Sequence, residues 1–207
     1  MGSTVTATDF DALFAGQRLM VIIRGRSPRA TVELAERAWE IGIRSVEVPI
    51  GEPEQVEALV ATIEAAKPRG LDVGAGTVVS VEHVRRASEA GAAYTVAPGF
   101  DAEVFAASLA AGLPHLPGVA TPTEVQRAVG RGCRWLKAFP ATTLGATWFS
   151  AIRGPFPNIA LVATGGVTVH DAQSYLDAGA RVVALGSALA DPTQVDALAR
   201  LVVDRET

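Results

Sequence analysis

Apolar residues in this chain come in short unbroken runs rather than in strict alternation with polar ones. The runs fall at residues 19–23, 45–50, 71–75, 92–97, 115–119, 133–139, 160–163 and 181–185, eight in all, and the one at 115–119 is the weakest. Between them lie stretches rich in Ala, Glu, Arg and Leu with apolar positions at helical spacing. Val32, Ala35, Ala38 and Trp39 form one such stripe, and Val56, Leu59, Val60 and Ile63 the next. Helix starts are marked at Ser27-Pro28, Glu52-Pro53, Ser80-Val81-Glu82, Thr121-Pro122, Thr168 and Asp191-Pro192. Ala-Gly pairs at Ala90-Gly91, Ala111-Gly112 and Ala178-Gly179 mark stops, because glycine suits the position after a helix.

A continuous apolar run predicts a strand buried on both faces, as in a parallel sheet covered by helices. Eight strand-helix units predict an α/β chain folded as a (β/α)8 TIM barrel, at the compact end of that architecture. A doubly wound open sheet is the alternative. No linker or shift of composition divides residues 1–207, which predicts one barrel domain. Residues 9–15 precede the first run and predict a short extra N-terminal helix over the barrel floor.

Composition narrows the partners. Apolar residues make up 49% of the chain, enough for a sizeable core, and the net charge of −4 offers no basic footprint for nucleic acid. The single cysteine, Cys133, excludes an internal disulfide framework and agrees with a reducing compartment. No run is long enough to span a bilayer, and no secretory signal opens the chain, so the expectation is a cytoplasmic protein without a membrane partner. His83, His115 and His170 show no ligand spacing, and no metal or cofactor is expected. His83 and His170 fall in helix starts and are expected to be solvated. Gly74-Ala75-Gly76-Thr77 lacks the third glycine of a dinucleotide loop.

In a (β/α)8 barrel the chemistry gathers where strands end and helix-bound loops begin. Polar residues at those ends are few: Arg24, Glu47, Thr77, Lys137 and Thr164. Lys137 is flanked by Leu136, Ala138 and Phe139. Burying an ammonium is costly unless it is paired or gives up its proton, and a neutral amine can attack a carbonyl to form a Schiff base. The plainer reading is a lysine that snorkels to water. Glu47 lies between Val46 and Val48 and is either the lysine's salt-bridge partner or a carboxylate that moves protons. Arg24 can grip a substrate carboxylate with two parallel hydrogen bonds, or is simply a loop arginine. Thr164-Gly165-Gly166 and Gly186-Ser187 end the last two runs, where barrels often hold a phosphate against backbone N–H groups. A side chain added at Gly166 is expected to obstruct that anion. Phe139, beside the lysine, is a further candidate for lining the pocket.

The segments VIIRG, VEVPI, GAGTV, APG, LPGVATPTE, LKAFPA, GPFPN, ATGGV and LGSAL, in this order over about residues 19–189, resemble the 2-keto-3-deoxy-6-phosphogluconate aldolases. Close relatives of these enzymes act on the galactonate epimer and on 4-hydroxy-2-oxoglutarate. The resemblance implies a class I aldolase on a (β/α)8 barrel, a homotrimer, with no metal. It places the Schiff-base lysine at Lys137, the acid/base glutamate at Glu47 and the carboxylate-binding arginine at Arg24. It places phosphate binding at Gly165, Gly166 and Ser187, and pocket lining at Thr77 and Pro98. Many members carry a second aromatic where Ala138 stands, and some gluconate-type members carry an arginine where this chain has Gly51. The implied reaction is reversible cleavage of a phosphorylated 2-keto-3-deoxy sugar acid to pyruvate and glyceraldehyde 3-phosphate. The rivals are a 4-hydroxy-2-oxoglutarate aldolase, a phosphosugar epimerase or decarboxylase, and a silent phosphosugar-binding barrel.

Overall fold

The computed structural model of the protein describes residues 9–186 and 191–203. Seven of the apolar runs each become one strand: β1 (Leu19–Ile22), β2 (Ser45–Pro49), β3 (Val73–Gly76), β4 (Tyr94–Val96), β7 (Trp135–Ala138), β8 (Ala160–Thr164) and β9 (Val182–Leu185). The run at 115–119 yields two pieces, β5 (His115–Leu116) and β6 (Gly118–Val119). The break has a chemical cause: Pro117 has no N–H to give to a ladder. Hydrogen bonding orders the strands β5-β4-β3-β2-β1-β9-β8-β7-β6, with parallel pairing. Because β5 and β6 are halves of one run, the ends of that order meet at Pro117, whose carbonyl accepts from the Lys137 N–H at 2.8 Å. The ring is the expected (β/α)8 barrel with its fifth strand broken.

The helices are α1 (Asp9–Leu13), α2 (Pro28–Glu40), α3 (Pro53–Ala66), α4 (Val81–Ala90), α5 (Ala102–Ala110), α6 (Pro122–Val129), α7 (Ala141–Leu144), α8 (Ala146–Arg153), α9 (Val169–Asp177) and α10 (Pro192–Val203). Their starts follow the side-chain chemistry. Ser27, Ser80, Thr121 and Thr168 each accept a hydrogen bond from the backbone N–H three residues on, a cap that contributes about 1 kcal/mol. Helix α4 ends at Gly91, left-handed at φ +83°, where a residue without Cβ adds no strain. The buried face of α3 differs from the expected stripe. Leu59 and Ile63 are buried, but Val60 is 40% exposed, and Ala58, Thr62 and Ala66 complete the face. The Thr62 hydroxyl bonds to the Ala58 carbonyl at 2.7 Å, so a polar residue sits in the core with its need met inside its own helix.

Side chains alternate between two cores. Met20, Ile22, Tyr94, Val96, Leu116, Trp135, Val162 and Val182 fill the barrel, while Val21, Val46, Val48, Leu136, Leu161 and Val183 face the helices. Helix α1 closes the floor as expected. Phe10 meets Tyr94 edge-on at 5.8 Å, Phe14 packs on Trp135 at 5.0 Å, and Trp135 Nε1 donates to Asp11 Oδ1 at 2.8 Å. Gly74 makes room for Tyr94: a Cβ there would stand 2.0 Å from the ring.

One buried polar chain lies outside the barrel lumen. Ser108 Oγ donates to the Leu113 carbonyl (3.0 Å), Thr95 Oγ1 is 2.6 Å from Ser108 Oγ, and His115 Nδ1 is 2.8 Å from Thr95 Oγ1. Each hydroxyl has one proton, so the order of donation leaves the proton of a neutral His115 on Nδ1, with Nε2 buried and without a partner among the described residues. Burial pushes the His115 pKa from 6.5 down to about 4, with the Asp101 charge acting weakly the other way. The unfolded chain therefore takes up a proton at His115 before the folded one does. Stability is full above pH 6.5 and falls as pH drops from 6.5 toward 4, by roughly 3 kcal/mol at most. His115→Asn keeps a donor to Thr95 and removes the titration. Its loss of denaturant resistance between pH 7 and pH 5 is expected to be smaller than the parent's; an equal loss would show that other groups set the acid limb.

Candidate active site

Parity on the strands decides which side chains enter the lumen. On β2, Val46 and Val48 face the helices, which turns Glu47 inward; on β7, Leu136 and Ala138 do the same for Lys137. These strands lie across the barrel from each other, and the two side chains meet in its upper part. Lys137 Nζ is 3.8 Å from Glu47 Oε1, with the residues 4% and 1% exposed. That distance makes an ion pair but is too long for a hydrogen bond. Among the described residues, Glu47 Oε1 and the buried Thr164 Oγ1 have no hydrogen-bond partner. Lys137 Nζ also stands 5.4 Å from the centre of the Phe139 ring, within cation–π range. The arrangement unites a desolvated amine, a carboxylate and a free hydroxyl.

Gly76 is the condition for this pair. A Cβ at Gly76 would lie 2.0 Å from Glu47 Oε1 and 2.6 Å from its Cδ. The glycines of Gly74-Ala75-Gly76 thus serve the barrel interior, one admitting Tyr94 and the other Glu47.

Lys137 opens into a cleft of about 620 Å³ at the C-terminal ends of the strands, whose wall also includes Arg24, Phe139, Thr164, Gly165, Gly166 and Gly186. Arg24 is exposed at the mouth, and its Nη2 donates to Thr77 Oγ1 at 3.1 Å. Thr77 therefore joins the site through Arg24. Pro98 lies beyond β4 against Gly118, outside the residues that line the cleft. Ser187 falls outside the described residues. Helix α9 begins at the cleft, and its cap Thr168 is in the wall.

The glycine turn after β8 is held from two sides. Gly165 (φ +101°) sits under Phe139, where a Cβ would be 2.9 Å from the ring. Thr142 N–H and Oγ1 both donate to the Gly165 carbonyl, at 3.2 and 3.1 Å. Gly166 (φ +77°) abuts Thr142 Oγ1, 2.6 Å from where its Cβ would be. A side chain at Gly166 is strained whatever binds nearby, so it obstructs more than an anion. Gly186 is different: a Cβ there finds its nearest atom 4.0 Å away, at the Ile22 carbonyl, which makes it the cleaner place to fill the cleft.

Arg26, Leu34 and Thr142 belong to the site but escaped the sequence reading. Arg26 was legible, since Arg24-Gly25-Arg26 puts two cations in one loop. Leu34 and Thr142 reach the site from helices, and no local pattern marks them. Two other concavities open at the opposite end of the barrel, one lined by Arg44, Asp72 and Tyr94 and one by Arg134, Arg153 and Arg181. Neither brings a buried amine to a carboxylate. Among the described residues no three His, Cys, Asp or Glu side chains cluster as metal ligands, and no helix is long and apolar enough to cross a membrane.

Known proteins are similar to this chain in sequence and in fold. The 2-dehydro-3-deoxy-phosphogluconate aldolase of Treponema pallidum (strain Nichols) is 36% identical over 188 residues, covering 90% of this chain and 88% of that one. A probable 2-dehydro-3-deoxy-6-phosphogalactonate aldolase of Rhizobium meliloti (strain 1021) is 33% identical over 175 residues, covering 84% and 82%. The crystal structure of a KDPG aldolase from Legionella pneumophila, with pyruvate captured as a covalent carbinolamine intermediate, superposes with a TM-score of 0.81 at 27% identity, covering 95% and 97%. The family model for KDPG and KHG aldolases matches residues 11–202. With a parallel barrel, a lysine–glutamate pair in its lumen and this likeness over most of its length, the chain belongs to the KDPG and KHG aldolase family and is an aldolase.

Proposed function

We propose that the protein is a class I aldolase that cleaves a 2-keto-3-deoxy-6-phospho sugar acid reversibly to pyruvate and glyceraldehyde 3-phosphate. The observation that carries this reading is the Lys137–Glu47 pair, 3.8 Å apart and buried at the base of the cleft. Glu47 takes the proton of the ammonium, and the neutral Nζ attacks the C2 ketone. Loss of water from the carbinolamine gives the protonated imine. Glu47 then removes the C4 hydroxyl proton, C4 becomes the carbonyl of the departing glyceraldehyde 3-phosphate as the C3–C4 bond breaks, and the electrons of that bond pass into the imine to form an enamine. Protonation at C3 and hydrolysis release pyruvate and restore the amine. Glu47 is the carboxylate within reach of these transfers, 3.8 Å from the amine. The unpartnered Thr164 hydroxyl is available to the bound intermediates.

Anchoring both ends of the substrate holds the reacting bond over the amine. Arg24, fixed by Thr77, receives the carboxylate. Gly165, Gly166, Gly186 and Ser187 cradle the phosphate. Both gluconate and galactonate names occur among the relatives, and Gly51 adds no charge that would choose between the epimers. Borohydride reduction with pyruvate tests the chemistry: a reduced adduct on the peptide containing Lys137 is expected, and its absence under conditions that trap a known Schiff-base aldolase would overturn the reading.

The phosphate end has its own test. Gly186→Val fills the cleft without backbone strain and is expected to weaken a phosphorylated substrate by about tenfold or more, the scale of one or two lost hydrogen bonds to an anion. Imine formation with pyruvate should persist. If the parent shows no preference for the phosphorylated substrate, 4-hydroxy-2-oxoglutarate becomes the better substrate. We further infer assembly into a homotrimer, as the family resemblance implies and as a mean hydropathy of +0.27 in so compact a chain favours. Light scattering at micromolar concentration should report about three chain masses; a monomer would contradict it.

A further inference from the structure

Thr77 holds φ at +60°, alone among the described residues other than glycine. A β-branched side chain in the left-handed region is strained, and such strain persists only where the surroundings over-determine it. Glycine would take this conformation freely, so the chain keeps a strained threonine where the hydroxyl has a use. That hydroxyl accepts from Arg24 Nη2 at 3.1 Å, across 53 residues of sequence.

The clamp on Thr77 is His83. Its Nδ1 lies 3.1 Å from the Thr77 carbonyl and 3.4 Å from the Val79 N–H. With a proton on Nδ1 the ring donates to Thr77; without one it accepts from Val79. In either tautomer it ties α4 to the 77–79 turn. The His83 backbone is itself anchored, its N–H bonded to Ser80 Oγ at 3.1 Å. The ring is half-buried against this turn, not simply solvated as its place in a helix start suggested.

We propose that His83 is a positioning residue for the substrate's carboxylate: its ring holds Thr77 in the left-handed conformation, Thr77 holds Arg24, and the guanidinium is thereby ordered before substrate arrives. An exposed arginine otherwise loses rotamer freedom on binding, and a fixed partner removes part of that cost. The proposal rests on the reading of Arg24 as the carboxylate anchor.

The test uses the whole chain and pyruvate, which has a carboxylate and no phosphate. The quantity read is the pyruvate concentration that gives half-maximal borohydride-trapped adduct on Lys137. In His83→Ala it should rise by about tenfold, the scale of a weakened charge-assisted bond, while the maximal adduct stays the same. His83→Asn, which keeps a polar atom near the place of Nδ1, should restore most of the affinity; His83→Phe, which keeps only the bulk, should not. On a Thr77→Gly background His83→Ala should add nothing, because its path to Arg24 has been removed. An unchanged half-maximal concentration in both His83→Ala and His83→Phe overturns the proposal, as does an undiminished effect on the Thr77→Gly background. Should the parent itself give no adduct on Lys137, the imine reading falls and takes this proposal with it. Trapping in the parent without dependence on His83 removes this proposal alone.

Discussion

Lys137→Arg is expected to fold and to lose covalent chemistry altogether, with turnover down by at least about 10⁴-fold, as for other removed nucleophiles. Arginine keeps the positive charge that faces Glu47, so the buried carboxylate is not left unpaired. It cannot supply the neutral amine that attacks a ketone, because a guanidinium stays protonated in proteins. Mass mapping after pyruvate and borohydride should find no adduct on any peptide of the variant, and cleavage assays should find only background. Retention of even a few per cent of the parent's turnover would exclude an imine at this lysine.

Glu47→Gln is expected to lower turnover by roughly 10²–10⁴-fold, the contribution typical of a positioned acid–base group. The amide has nearly the same shape, so substrate affinity should move far less than turnover. The variant also leaves Lys137 without its counter-charge, which by itself could alter the amine. Gly76→Ala separates the two effects. It retains both ionisable residues, and its methyl would fall 2.0 Å from Glu47 Oε1, so the carboxylate must move. Loss of turnover in both variants, read by single-turnover cleavage, places the function in the carboxylate's position as well as its charge. Parent-like turnover in Glu47→Gln would make the glutamate structural.

The chain by itself determined the architecture and the chemistry-bearing pair. Strands of a parallel barrel are buried on both faces, so their sequences are apolar throughout, and a charged residue inside one stands out. Glu47 between valines and Lys137 between Leu136 and Ala138 are visible for that reason. Helix starts were legible because capping is local: Ser27, Ser80, Thr121 and Thr168 bond to backbone within three residues. The floor helix was legible from its place before the first strand.

Other features depended on contacts between residues distant in sequence, which only closure of the barrel brings together. The split at Pro117 joins the two ends of the sheet. The glycines at 74 and 76 answer to Tyr94 on the next strand and Glu47 on the previous one. Val60 turns outward because Thr62, satisfied by the Ala58 carbonyl, takes a core place that apolar spacing reserves for hydrocarbon. Arg24 and Thr77 each stand out in the sequence as polar residues at strand ends, but nothing there pairs them. The barrel places them 3.1 Å apart with His83 behind the turn, and that juxtaposition is long-range in sequence, sterically specific and silent in any local pattern.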